Sequence, residues 1–146
     1  MSDNPWLRYG LIGLLAVGFL FLIGFALNSG GAIEGPNWTV EQLTAEGAEV
    51  QPIEGTALTA VFEDGTVSGL AGCNNFTGGY TLDGDSITIG PLASTLAFCD
   101  GIMDQEQLYL TLLQSATTYE VDGDKLTLSS GGSASLIFSE GEASGS

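Results

Sequence analysis

Apolar and polar residues fall into three successive patterns along the chain. Leu11 to Leu27 is apolar throughout, and with Tyr9 and Gly10 the stretch reaches about the 20 residues that a tilted helix needs to cross a bilayer. From Trp38 onward apolar and polar positions alternate, the two-residue period of strands with one buried face. Trp38-Thr39-Val40 opens a first strand, and three hairpins follow. Ala57–Phe62 and Thr66–Ser68 flank Glu63-Asp64-Gly65; Gly79–Leu82 and Ser86–Ile89 flank Asp83-Gly84-Asp85; Tyr119–Val121 and Lys125–Leu128 flank Asp122-Gly123-Asp124. Ser133–Phe138 supplies a last strand. Between the second and third hairpins the period lengthens. Met103, Leu110 and Leu113, with Ile102, Tyr109 and Gln114 beside them, predict one helix of about 12–14 residues. Asp100 is its expected N-cap, and Asp104 and Glu106 stand in its first turns, where carboxylates suit the helix dipole.

The apolar run divides the chain. Arg8 and the α-amino group precede it and no base follows until Lys125, so residues 1–8 are expected in the cytoplasm and the rest outside, with residues 9–27 as a single-pass membrane anchor. A cleaved signal peptide is the competing reading, but its apolar region is usually about 7–15 residues, and Gly30-Gly31-Ala32 is a weak cleavage site. Residues 28–37 have linker composition, residues 38–138 form the expected domain, and residues 139–146 read as a flexible acidic tail. The room left after the anchor is that of one domain of about 100 residues.

Charge narrows the function. Eighteen acidic residues against Arg8 and Lys125 give a formal charge of −16, which argues against nucleic acid or an anionic lipid surface as partner. The acids are spread along the chain, the pattern of a solvated anionic surface. Such a surface repels itself in dilute buffer and is relieved by salt. The absence of histidine removes Ser-His and Cys-His nucleophiles and histidine-metal sites.

The densest stretch is Ser68 to Tyr80, where Gly69, Gly72, Gly78 and Gly79 surround Cys73. Glycine tolerates positive φ and close backbone approach, so the stretch reads as a tight crossing or bulged corner between strands. Cys99 is the only other cysteine, and two cysteines beside a membrane-crossing segment in a chain without histidine suggest one disulfide.

Ser68-Gly69-x-x-Gly72-Cys73-Asn74-x-x-x-Gly78-x-Tyr80, then Gly90-Pro91-Leu92-Ala93-Ser94-Thr95 and Cys99, then Glu106 in the helical run, together resemble the META domain of the HslJ-like envelope proteins. The resemblance covers Trp38 to Phe138. It departs at Leu96, where family members usually carry a basic residue. With the strand and helix pattern it implies an α+β domain: a curved antiparallel sheet or partial barrel of about 7–8 strands with one covering helix, after an N-terminal transmembrane helix.

Several groups are candidates for chemistry. The three acidic turns could hold calcium, but none has the EF-hand spacing, and Asp-Gly between strands is hairpin chemistry. Asp100, Asp104 and Glu106 could form a carboxylate acid/base site, although capping and solvation explain the first two. Glu106 stays open: the resemblance places an acid there, beside the apolar stripe. Asn74 and Asn75 could line a polar pocket or occupy positive-φ positions, and Ser94 and Thr95 lack an activating base. Trp38 reads as a core anchor. The expected binding residues are thus Asn74, Asn75, Thr95 and Glu106, with no catalytic residue, metal or cofactor.

The reading that follows is a monomeric, membrane-tethered, extracytoplasmic domain with a non-enzymatic binding or scaffolding role. The resemblance implies a place in envelope stress, secretion or assembly, with an envelope protein as partner. Alternatives are a small-ligand or cation-binding domain, or a carboxylate-based hydrolase around Glu106.

Overall fold

The computed structural model of the chain describes residues 33–141. The expected anchor at 9–27 lies outside these residues; among the described residues no helix is long and apolar enough to cross a membrane.

Ten strands run β1 (Asn37–Ala45), β2 (Ala48–Val50), β3 (Thr59–Glu63), β4 (Thr66–Leu70), β5 (Asn75–Asp83), β6 (Ser86–Ile89), β7 (Ala93–Ser94), β8 (Thr118–Asp122), β9 (Lys125–Ser129) and β10 (Ser135–Glu140), with one helix, α1 (Met103–Ser115), between β7 and β8. Eight of them form a closed antiparallel ring, because β1 pairs with β3 on one side and with β10 on the other. The expected partial barrel is therefore a closed one. Closure removes the exposed sheet edge that an open sheet must protect. β1 can serve two neighbours and also pair with the short β2 because its register with β10 shifts between Val40 and Gln42, a bulge that bends the strand.

The alternation in sequence becomes inside and outside. Val67, Phe76, Tyr80, Ile87, Leu126 and Phe138 turn inward and are buried, while their strand neighbours face out. The expected hairpin turns are present: Asp64 and Gly65 both have positive φ, 53° and 82°, as a two-residue turn between twisted strands requires. β2 has no expected counterpart, because Ala48, Glu49 and Val50 are all exposed and carry no alternation.

The glycine stretch is a hairpin and not a corner. β5 starts at Asn75, so Phe76 to Tyr80 is strand, paired with β4 from Leu70↔Asn75 to Thr66↔Gly79. Residues 71–74 form the turn, closed by the Ala71 N–H donating to the Asn74 carbonyl at 2.8 Å. Close approach is nevertheless what Gly69 is for: a Cβ there would stand 2.1 Å from the Thr59 carbonyl oxygen.

The helix spans 13 residues but starts two residues later than a cap at Asp100 would allow. An extra turn intervenes, with the Ile102 N–H donating to Cys99 O at 3.1 Å, and Ile102 occupies the cap position without a side-chain bond. Its buried residues are Gln105, Glu106, Tyr109, Leu112 and Leu113. Met103 and Leu110 are only half-buried. The inward face thus includes two polar side chains, Gln105 and Glu106. Tyr109 is fully buried, meets Phe76 of β5 and Phe138 of β10, and donates its hydroxyl to Thr59 O of β3 at 2.7 Å. No two of those strands are neighbours, so Tyr109 ties the barrel across its interior.

Both expected domain limits are too narrow. Ile33 is buried and its carbonyl accepts the Trp38 indole N–H at 2.9 Å, while Gly35 N–H donates to Phe62 O at 3.1 Å, so the described part of the linker belongs to the domain. Ser139 and Glu140 lie in β10, paired with Thr39 and Trp38, and are not tail.

Candidate functional site

The turn before β5, the segment after β7 and the first turns of α1 meet at one place. Asn74 and Glu106, 2% and 4% exposed, form its centre. Glu106 Oε1 accepts the backbone N–H groups of Cys73 at 3.1 Å and Asn74 at 2.8 Å, and Oε2 accepts Asn74 Nδ2 at 2.6 Å. The carboxylate therefore caps a tight turn whose N–H groups have no strand partner, the requirement that rotates it inward. Gln105 does the same for another loop: its Oε1 accepts the Ile53 N–H at 2.6 Å and its Nε2 donates to Thr56 Oγ1 at 3.1 Å.

Asn74 holds the segment after β7. Its Oδ1 accepts the Ala97 N–H at 2.7 Å and the Thr95 hydroxyl at 2.8 Å, and its Nδ2 also donates to Ala97 O at 3.0 Å. One side-chain amide thus bonds both backbone groups of Ala97, as a neighbouring strand would. Thr95 completes the lattice with Asn75: the Asn75 N–H donates to Thr95 Oγ1 at 3.2 Å and the Thr95 N–H to Asn75 O at 3.1 Å. The disulfide between Cys73 and Cys99, with Cα atoms 5.9 Å apart, fixes the far end of the same segment.

The structure brings Asn74, Asn75, Thr95 and Glu106 together, but their polar contacts are mostly with one another. The backbone of Ala97 faces Asn74, and the residues on either side of it are exposed: Leu96 is 93% and Phe98 75% exposed. Between this segment and the helix lies an open groove of about 380 Å³, lined by Leu96, Ala97, Phe98, Met103 and Leu110 over a floor that includes Asn74 and Glu106. Leu96 is singled out in sequence only as a departure from the family pattern, and Phe98 is not singled out. The available signal is the two-residue spacing of large apolar side chains around Ala97 in a segment with no strand partner for them to cover.

The described residues carry sixteen acids and one base. Lys125 is the one cation among the described residues, and it is bound to Glu41 at 2.6 Å, 41 being the bulge position of β1. That bond, then a hydrogen bond from Ser139, holds the Glu41 carboxyl below its usual range. The Tyr80 hydroxyl donates to Glu34. Burial first and then this bond push the phenol up to about 12. Among the described residues no three Asp, Glu, Cys or His side chains are grouped as a metal site requires.

A family model described as META domain matches residues 31–143. No curated protein matches the chain. Among solved structures, an NMR structure of a protein from Burkholderia xenovorans is similar at 20% identity with a TM-score of 0.67, over 79% of this chain and 88% of that one. A second NMR structure is similar at 20% identity with a TM-score of 0.54, over 71% of this chain and 87% of that one. These likenesses concern the fold.

Proposed function

We propose, from the premise that this chain belongs to the META domain family, that its barrel is a non-enzymatic binding module that presents Leu96 and Phe98 to another protein of the cell envelope. The exposed pair on a pinned segment carries this reading. Large apolar side chains exposed beside a groove are unfavourable in water and mark interaction surfaces when they cluster. The Asn74 lattice and the disulfide order the segment before any partner arrives, so little conformational entropy remains to be lost on binding.

Chemistry at Glu106 is disfavoured by its surroundings: three N–H donors already occupy the carboxylate, and Lys125 is engaged elsewhere. A small-ligand reading draws support from the groove volume, near the lower end of ligand pockets at roughly 300–1,000 Å³. Its polar floor groups are bonded to each other, however, and leave few to orient a ligand. The apolar run at residues 9–27 would hold the module at the membrane, raising its concentration near envelope partners, and the resemblance to the HslJ-like envelope proteins supports a role in stress, secretion or assembly.

The test is a photo-crosslinking residue placed at Phe98, and separately at Asp83, in the full chain in its native membranes. A discrete adduct at position 98 and none at position 83 is expected. Equal labelling at both positions, or none at 98, would overturn the reading.

A further inference from the structure

We infer that the groove beside Leu96 and Phe98 takes a cationic amphipathic segment of a partner protein; the inference rests on the binding reading above and adds the chemistry of the partner. Each side of the groove carries large apolar side chains, with Gln107 between those of the helix and Ser94 and Thr95 at the start of the other side. Leu96 and Phe98 stand on one side and Met103 and Leu110 on the other, and the latter two are seven residues apart on α1, about 10 Å along its axis. That length suits two or three apolar side chains from one face of a bound segment.

Acidic residues adjoin in sequence the segments that form the groove. Asp100 follows Cys99 and Asp104 follows Met103; both are exposed, and neither has a cationic partner among the described residues. Sixteen of the eighteen acids lie within the described residues, against Lys125 alone. A segment that brings apolar residues to the groove and lysine or arginine to its margin meets complementary charge, which speeds encounter and rejects acidic competitors. The same charge disfavours two other occupants. A second copy of this domain would bring two strongly anionic surfaces together, and an anionic lipid surface would repel Asp100 and Asp104 as Leu96 and Phe98 approached it.

The experiment titrates the full chain in detergent with a fluorescein-labelled helical peptide of leucine and lysine, and with the same peptide carrying glutamine in place of lysine. The lysine peptide is expected to bind, and the glutamine peptide to bind about tenfold more weakly. Raising salt from about 0.1 M to about 1 M shortens the screening length from about 10 Å to about 3 Å and should weaken the lysine peptide alone. L96S/F98S should lose at least about tenfold in affinity with an unchanged melting temperature, since both side chains are exposed. D100N/D104N should weaken binding several-fold while D122N/D124N, on the β8–β9 turn, leaves it unchanged; equal loss from both pairs would show unspecific attraction and overturn the inference.

Equal affinity for the two peptides, with binding still lost in L96S/F98S, would overturn the cationic partner and leave the binding surface standing. Lysine-peptide binding that ignores L96S/F98S would overturn the inference, and together with failed crosslinking at position 98 it would remove the binding reading as well. With the full chain reconstituted in phosphatidylcholine or phosphatidylglycerol vesicles, burial in lipid of a fluorescent label at position 98, or a dimer abolished by L96S/F98S, would assign the surface to membrane or to self-association instead.

Discussion

Asn74 Nδ2 and Glu106 Oε2 lie 2.6 Å apart across 32 residues of sequence, and this bond joins the glycine-rich hairpin to the helix. It makes one unit of the turn, the helix and the segment that displays Leu96 and Phe98. The carboxylate serves N–H donors that would otherwise be buried without partners.

Substitution Glu106→Gln keeps the size of the side chain but turns one acceptor into an NH2 group facing N–H donors. A loss of roughly 1.5–3 kcal/mol is expected, the range for hydrogen bonds to charged groups. Urea unfolding followed by circular dichroism measures it. An unchanged midpoint would mean that the lattice contributes nothing to stability.

Reduction of Cys73–Cys99, which encloses a sequence separation of 26, should destabilise the domain by roughly 3–4 kcal/mol in the chain-entropy model. The same treatment frees the far end of the displayed segment, so crosslinking at position 98 should fall with the melting temperature. Thiol alkylation under denaturing, non-reducing conditions should find no free thiol beforehand.

Gly69→Ala would drive a methyl group to 2.1 Å from the Thr59 carbonyl, the oxygen that also accepts the Tyr109 hydroxyl. Backbone must move, and a loss of roughly 1–3 kcal/mol or more is expected. Gly123→Ala has open space at its Cβ but a φ of +65°, so its cost is conformational and smaller. Comparing the two melting temperatures separates collision from strain, and equal losses would contradict the close approach.

Stability should fall between pH 10 and 12. In the unfolded chain Tyr80 ionises near 10.0, whereas in the fold its pKa is about 12 because burial and the Glu34 carboxylate favour the neutral phenol. Its contribution is complete below pH 10 and is lost as the pH rises through 12. Tyr109, fully buried, acts in the same direction. Melting temperature across this window should drop less steeply in Tyr80→Phe than in the parent chain; identical slopes would exclude Tyr80 as a source.

Added salt should raise the melting temperature, since the described residues carry sixteen acids and one base. Melting curves from low to molar sodium chloride test this, and a flat response would show the acids to be too far apart to repel.

The local features were legible in the residues. Two-residue alternation marks β3, β6, β8, β9 and β10, because each has one face in the barrel; Asp-Gly turns mark the hairpins, because their backbone demands positive φ. A change of period marks the helix, and two cysteines in a chain without histidine mark the disulfide. What depended on distant partners was not legible. Closure of the barrel rests on Val40 pairing with Phe138 and Leu43 with Leu136, which nothing near either strand specifies. Asp100 yielded the cap position because the turn bonded to Cys99 O inserted itself before the helix. Glu106, polar on a helix whose period favoured Met103 and Leu110, turned inward because unpaired N–H groups of a turn 32 residues away needed an acceptor. Leu96 and Phe98 face outward because Asn74 bonds the backbone of Ala97 between them. Periodicity reports which side of an element is apolar; only the packed chain decides which buried donors and acceptors must be satisfied, and by which residue.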